Sequence, residues 1–301
     1  GLKIGVYEHS AVGRDILSKV LQELGAEIIS LGRSETFIPV DTEAIREEDS
    51  RLAREWAKEG FFAIVSTDGD SDRPLLSDEN GEWLRGDVLG ILAATALGIS
   101  SVATPVSCNT ALEKCNRFKK ICRTRIGSPY VIEGMESLAQ DFNSIAGYEA
   151  NGGFLLQTDV EKAGKILKAL PTRDALLPII SVLVNAKNLK IKVSDLLKEL
   201  PSRFSASDRL KNFPTERSKQ KIAEIKSENL GEVLFGKFSG KLKSIDETDG
   251  FRMTFDSEEI IHLRPSGNAP ELRCYVEATS QERAKKLLTD CIQVLESFRG
   301  E

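Results

Sequence analysis

The sequence predicts an α/β chain: two βα-rich domains with mixed, largely parallel sheets, followed by a smaller α+β C-terminal domain. Three observations carry that prediction. Short apolar runs alternate with segments of helical periodicity through the first two domains, the rhythm of parallel strands joined by crossover helices. The last part brings shorter strands before one long amphipathic helix. The length, 301 residues, exceeds the ~250 at which a single core stops growing. We place the domains at 1–84, 85–200 and 201–301.

Lys3–Tyr7 reads as the first strand, and a helix from about Val12 to Leu24 follows. Its Val12, Ile16, Leu17, Val20, Leu21 and Leu24 keep one face, and Gly25 ends it with a left-handed residue. Ala26–Ser30 is the second strand. Asp49–Glu59 is a second helix with Leu52, Ala53 and Trp56 inward, and Phe61–Ser66 is the third strand. Asn80-Gly81 signals a hairpin turn. Asp87–Leu97 is helical, Ser101–Thr104, Ser144–Gly147 and Phe154–Gln157 are strands, and Pro171 and Pro178 bracket a helix from about Arg173 through Val184. Pro201–Arg217, rich in Ser, Pro, Arg and Lys, reads as a connection between domains. Strands at Gly250–Phe255, Glu259–Leu263 and Leu272–Ala278 precede a helix over Ser280–Phe298. Thr279 and Glu282 suit a capping box there, and Leu287, Leu288, Cys291, Ile292, Leu295 and Phe298 form its buried stripe.

Composition excludes several classes. A net charge of −5 argues against non-specific nucleic-acid binding. No apolar run approaches the ~20 residues that span a membrane, and the N-terminus reads as a strand rather than a signal peptide. Five cysteines without a C-x-x-C pair fit reduced thiols in the cytoplasm. Cys108, Cys115 and Cys122 recur every seven residues, a spacing that fits small buried side chains on one helical face. With only His9 and His262 present, a histidine-rich site is excluded.

The most informative stretch is Ile64 to Arg73. A strand empties into a loop carrying Asp68, Asp70 and Asp72 at alternate positions. Three carboxylates this close repel unless a cation or a proton sits among them, and hard oxygen ligands suit Mg²⁺. The loop also follows the carboxyl end of a strand, where ligands of parallel sheets collect. Together with Glu79 the spacing imitates an EF-hand, but Arg73 holds the position that needs Gly and a strand replaces the entering helix. An acidic solvated turn is the plain alternative.

Two further loops carry chemistry. Arg264-Pro265-Ser266-Gly267-Asn268-Ala269-Pro270 combines a glycine open to close approach with short hydrogen-bonding side chains, and Arg264 and Arg273 flank it with guanidinium groups. That composition suits an anion cradle, although it is also ordinary turn chemistry. Glu149 and Asn151 lie in a glycine-rich loop, Gly147–Gly153, whose carboxylate and amide suit sugar hydroxyls; a turn between strands is the simpler reading of those residues alone. His9 and Ser10 are adjacent on a strand and point to opposite faces, so Ser10 is assigned to capping the next helix. The six cations of Lys114–Arg125 read as a solvated helical face.

In this order, the three loops resemble those of the α-D-phosphohexomutases, the phosphomannomutase/phosphoglucomutase family. The likeness extends over essentially the whole chain, including Leu272-Arg273-Cys274-Tyr275-Val276-Glu277-Ala278. It implies Mg²⁺ held by Asp68, Asp70 and Asp72, sugar hydroxyls recognised around Glu149, and a substrate phosphate gripped by Arg264, Ser266, Gly267 and Asn268. It further implies a phosphoryl shift between O6 and O1 of a hexose phosphate through a phosphoserine and a bisphosphorylated sugar. Arg73 would neutralise part of the acidic loop or touch the phosphoryl group.

The departures are equally specific. The serine-bearing Thr-Ala-Ser-His-Asn segment of the family does not occur in these residues. The chain opens on what resembles the first strand of the second of four domains. The missing N-terminal domain of the same protein is then the expected partner, and this polypeptide alone is expected to be inactive. The sugar loop reads Glu149-Ala150-Asn151-Gly152-Gly153 where the family has Glu-x-Ser-Gly-His, which leaves the choice of mannose or glucose phosphate open. Asn268 and Ala269 replace the usual Thr and Glu. A non-catalytic phosphosugar-binding module and a hexosamine phosphate mutase are the alternatives.

Overall fold

The computed structural model describes residues 1–267 and 269–299. They divide into two compact units, Gly1–Pro201 and Ser202–Glu301.

The first unit holds two large sheets. Strands β1 (Lys3–Tyr7), β2 (Glu27–Leu31), β3 (Ala63–Thr67) and β4 (Pro74–Leu76) form one, in the order β2-β1-β3-β4. Its first three strands are parallel, with Val6 beside Ser30 and Val65, and β4 returns antiparallel to β3. Helices α1 (Arg14–Glu23) and α2 (Glu47–Ala57) make the crossovers, as the sequence rhythm predicts. Gly25 closes α1 at φ +87°, donating to the Gln22 carbonyl.

The second sheet follows α3 (Gly86–Leu97). It contains β5 (Ser101–Pro105), β6 (Lys120–Thr124), β7 (Ile145–Tyr148), β8 (Phe154–Leu156) and β11 (Leu170–Asp174), in the order β11-β8-β7-β5-β6. Strands β5, β6 and β7 are parallel; β8 and β11 are antiparallel additions. Between them run α4 (Ala111–Lys114), α5 (Ser128–Leu138) and a hairpin of β9 (Val160–Lys162) and β10 (Lys165–Leu167). Then come α6 (Leu176–Leu189) and α7 (Val193–Lys198). One apolar core reaches from Ile4, Val6 and Val65 of the first sheet through Leu89 and Ile91 to Val102, Tyr148 and Ile179, so both sheets share it.

The second unit begins with β12 (Phe204–Lys211), followed by α8 (Thr215–Ser227) and α9 (Leu230–Ser239). Strands β13 (Leu242–Asp246), β14 (Phe251–Phe255), β15 (Ile260–Pro265) and β16 (Glu271–Ala278) then precede α10 (Gln281–Ser297). All five strands are antiparallel, in the order β12-β16-β15-β14-β13. Leu287, Cys291 and Leu295 of α10 pack with Phe213, Phe235, Phe251 and Phe255.

Several expectations are corrected. The helix expected from Val12 starts at Arg14 and buries Leu17 and Leu21, leaving Val12, Ile16 and Leu24 exposed. The helix expected from Arg173 starts at Leu176, and Arg173 belongs to β11; Pro178 sits in the first helical turn, where its missing N–H costs nothing. Pro201–Arg217 is no linker: β12 pairs with β16 from Phe204–Ala278 to Lys211–Glu271. Its charged residues mark an edge strand, whose outer side faces water. Lys114–Arg125 is no single helical face: Lys120–Thr124 is the edge strand β6, and the cations of the stretch are partly committed, Arg123 to Glu113 at 2.8 Å and Arg117 to Glu199 at 3.0 Å. Cys108, Cys115 and Cys122 therefore share no helix. Ser280, not Thr279, caps α10, accepting from the Arg283 amide at 3.1 Å. Ser10 accepts from the Ile38 amide at 2.8 Å, and the α1 cap position falls to Gly13.

Candidate functional site

The acidic loop is built by its neighbours. Every residue of β3 is buried, and the loop begins at Asp68, directly after its last residue Thr67. The Asp68 amide donates to the Arg73 carbonyl at 3.1 Å and the Arg73 amide to Asp68 Oδ1 at 3.1 Å, closing the loop on itself. Ser71 turns it with φ +66°, a conformation unfavourable for a non-glycine residue. Its Oγ accepts from the Gly13 amide at 2.8 Å and from Thr67 Oγ1 at 3.0 Å, while the Val12 amide donates to the Gly69 carbonyl. The loop is thus pinned to the segment that enters α1.

Asp68, Asp70 and Asp72 each present an oxygen, all within 4.8 Å of one another. Asp68 is buried and Asp70 exposed. Burial pushes the Asp68 carboxyl up to about 6; the Arg73 amide opposes this, and Asp70 and Asp72 add to it. Asp72 Oδ1 is buried without a hydrogen-bond partner. Arg73 Nε stands 3.6 Å from both Asp68 and Asp72, too far for a hydrogen bond to either. Crowded hard oxygens, one orphaned and one with its charge disfavoured, fit a small divalent cation. Glu79 takes no part, since it accepts from Ser194 Oγ at 2.6 Å; the EF-hand imitation is one of sequence only. His9 is buried against the Thr67 carbonyl at 2.8 Å.

The Glu149 loop follows the carboxyl end of β7. Glu149 and Gly153 pair through a 3.0 Å backbone bond, and Gly152, at φ +90°, completes the turn. Asn151 spends its Oδ1 on the Gly153 amide at 2.9 Å, and its carbonyl accepts from Thr42 Oγ1 at 2.7 Å. Glu149 is only 6% exposed, and burial raises its carboxyl despite the opposing charges of Arg173 and Arg73. The two loops meet at Arg173, which sequence reasoning missed: Nη1 lies 2.8 Å from Asp72 Oδ2 and Nε 3.4 Å from Glu149 Oε2. In the sequence Arg173 sat inside a misassigned helix, where no local signal marked it.

In the second unit, Arg264 and Arg273 are direct cross-strand partners on β15 and β16, and Arg273 is also opposite Arg209 of β12. Three guanidinium groups therefore line one sheet face, a repulsive arrangement unless anions intervene. Asp249 holds Arg264 at 2.9 Å, and Glu271 stands 3.5 Å from Arg209 and 3.8 Å from Arg273. His262, its imidazole lowered to about 4 by burial, stays neutral, and its Nε2 donates to the Asp249 carbonyl, steadying that turn. Ser266 Oγ is buried beside this row without a hydrogen-bond partner, and a side chain at Gly267 would meet only open space. Asn268 lies outside the described residues. Arg209 escaped notice because its strand read as a linker.

Two family models match the chain. Domain III of the phosphoglucomutase/phosphomannomutases, described as alpha/beta/alpha, matches residues 85–204, and their C-terminal domain matches residues 189–293. The chain belongs to the phosphoglucomutase/phosphomannomutase family. A phosphomannomutase of Salmonella muenchen is 49% identical over 306 residues, covering 99% of this chain and 62% of that protein. One from Sinorhizobium fredii is 45% identical, covering 99% and 63%. A family member of known structure from Burkholderia thailandensis superposes with a TM-score of 0.74 at 17% identity, over 99% of this chain and 61% of that one, and so shares its fold. The chain spans about three fifths of the length of the relatives it matches. No helix among the described residues is long and apolar enough to cross a membrane.

Proposed function

We propose that this chain carries the cation-, sugar- and phosphate-binding parts of a Mg²⁺-dependent phosphohexomutase of the phosphomannomutase type. The reaction is a phosphoryl shift between O6 and O1 of a hexose phosphate, mannose or glucose phosphate, in the cytoplasm. It runs through a phosphoserine and a bisphosphosugar, the serine being supplied from outside these 301 residues by a domain of the same protein. The observation that carries the reading is the gathering of three carboxylates within 4.8 Å, joined through Arg173 to the Glu149 loop, in a member of this family.

Asp68, Asp70 and Asp72 would hold the cation, which supplies charge neutralisation for the transferring phosphoryl group. Arg73, beside two of them, reaches toward the same group. Glu149 accepts hydrogen bonds from sugar hydroxyls, and Asn151 shapes that loop. Arg264, Arg273, Ser266, Gly267 and Asn268 grip the phosphate that does not react, converting its binding energy into orientation. We keep 1–84, 85–200 and 201–301 as our reading of the domains, one loop to each.

Calorimetry with mannose, glucose and glucosamine phosphates tests the assignment. Arg264→Ala should weaken binding of all three by roughly 10- to 100-fold, the worth of a bidentate charge-assisted contact of about 1.5–3 kcal/mol. Unchanged binding would remove this loop from the site, and the ranking of the three sugars fixes the hexose.

The cation site should also depend on pH. Asp68 has a raised carboxyl, so the cation-free fold loses stability as pH climbs from the ordinary 3.8 through about 6. A cation must displace that proton, so its affinity should fall about tenfold per pH unit below pH 6 and level off above it. Titrations at about pH 5, 6 and 7 check this; a flat profile contradicts it.

A further inference from the structure

Arg173 touches both loops of the first unit. It projects from β11, an edge strand, and its stem is confined: a Cβ on Gly153 would lie 2.8 Å from Arg173 Cδ. Its Nη1 is 2.8 Å from Asp72 Oδ2, its Nε 3.4 Å from Glu149 Oε2 and its Nη2 3.4 Å from Ser128 Oγ. Asp72 therefore divides its charge between this fork and Arg73, whose Nε is 3.6 Å from the other oxygen. A guanidinium already bonded to a metal-binding carboxylate is a built-in rival for the cation, and a cation that takes Asp72 leaves the fork to Glu149.

We infer that Arg173 is a positioning residue that competes with the cation for Asp72 and, once displaced, orders the Glu149 loop for the sugar, linking cation and sugar-phosphate affinities. The inference rests on the reading of the acidic loop as a cation site. Removing the rival charge should tighten cation binding while uncoupling it from the sugar. A merely structural arginine would do neither, since its loss would weaken both.

Calorimetry on the whole 301-residue chain, with Mg²⁺ alone and again with saturating mannose 1-phosphate, separates the outcomes. Arg173→Gln should bind Mg²⁺ about three- to tenfold more tightly than wild type, the range expected for one partly exposed charge a few ångströms away. In wild type the sugar phosphate should tighten Mg²⁺ binding by about fivefold or more, and in the variant that coupling should fall to near unity. Arg173→Lys, which keeps the charge but not the fork, should hold wild-type Mg²⁺ affinity and lose the coupling; it decides the matter should the glutamine variant not fold. Equal or weaker Mg²⁺ binding by a folded Arg173→Gln, or coupling that survives in both variants, overturns the inference and leaves the cation site standing. A wild-type chain that binds no Mg²⁺ overturns both.

Discussion

Purified alone and given mannose 1-phosphate with a bisphosphosugar primer, this 301-residue polypeptide should show mutase turnover at least ~10⁴-fold below that of a full-length relative. The reason is chemical. In the proposed reaction the cation and the loops around Glu149 and Arg264 would position and neutralise, but the covalent route needs a hydroxyl that accepts and returns the phosphoryl group. Two serines of the candidate loops are unsuited to that task. Ser71 Oγ is held by the Gly13 amide and Thr67 Oγ1, at a backbone angle that anchors the loop. Ser266, in the loop between β15 and β16 of the second unit, is buried. Binding of sugar phosphate should survive while turnover is lost, and rapid conversion by the isolated chain would show that the donor lies within it.

Gly86→Ala should lower the stability of the first unit by about 3 kcal/mol or more, because overpacking against backbone has no rotamer through which to relax. A Cβ on Gly86 would stand 2.1 Å from the Gly152 nitrogen, 2.5 Å from the Asn151 carbonyl carbon and 2.6 Å from the Ala150 oxygen. The first turn of α3 and the Glu149 loop thus touch backbone to backbone, and the glycine is what lets the loop lie flat on the helix. For a unit of this size the melting temperature should drop by about 6–12 °C. Sugar-phosphate affinity should fall as well, since the loop must lift to admit the methyl group. Melting within about 2 °C of wild type would show that α3 yields without cost.

How much of this was legible in the sequence depended on where each strand lies in its sheet. Interior strands announce themselves: β3 and β5 are buried at every residue, and their apolar runs, Ala63–Thr67 and Ser101–Pro105, are read directly. Most edge strands do not, β2 being the exception, because water solvates one side and charge guards against stray pairing. Strands β6, β11, β12 and β13 all lie at edges, and all were missed or taken for helix or linker. Two charged residues that complete the candidate sites, Arg173 on β11 and Arg209 on β12, sit on them. The loops at 68–73, 147–153 and 264–270 were legible through their order along the chain, since each taken alone is also ordinary turn chemistry. That Asp72 and Glu149 share one arginine was not, since 101 residues separate Arg173 from Asp72 and only the fold joins them.

The aspartate loop as a divalent-cation site underlies the rest, and counting bound Mn²⁺ by electron paramagnetic resonance tests it most directly. Wild-type chain should bind one ion, and the isosteric Asp68→Asn/Asp70→Asn pair, with the fold intact by circular dichroism, should bind it at least ~30-fold more weakly. Equal binding by both proteins, or no binding by the wild type at neutral pH, would contradict the account.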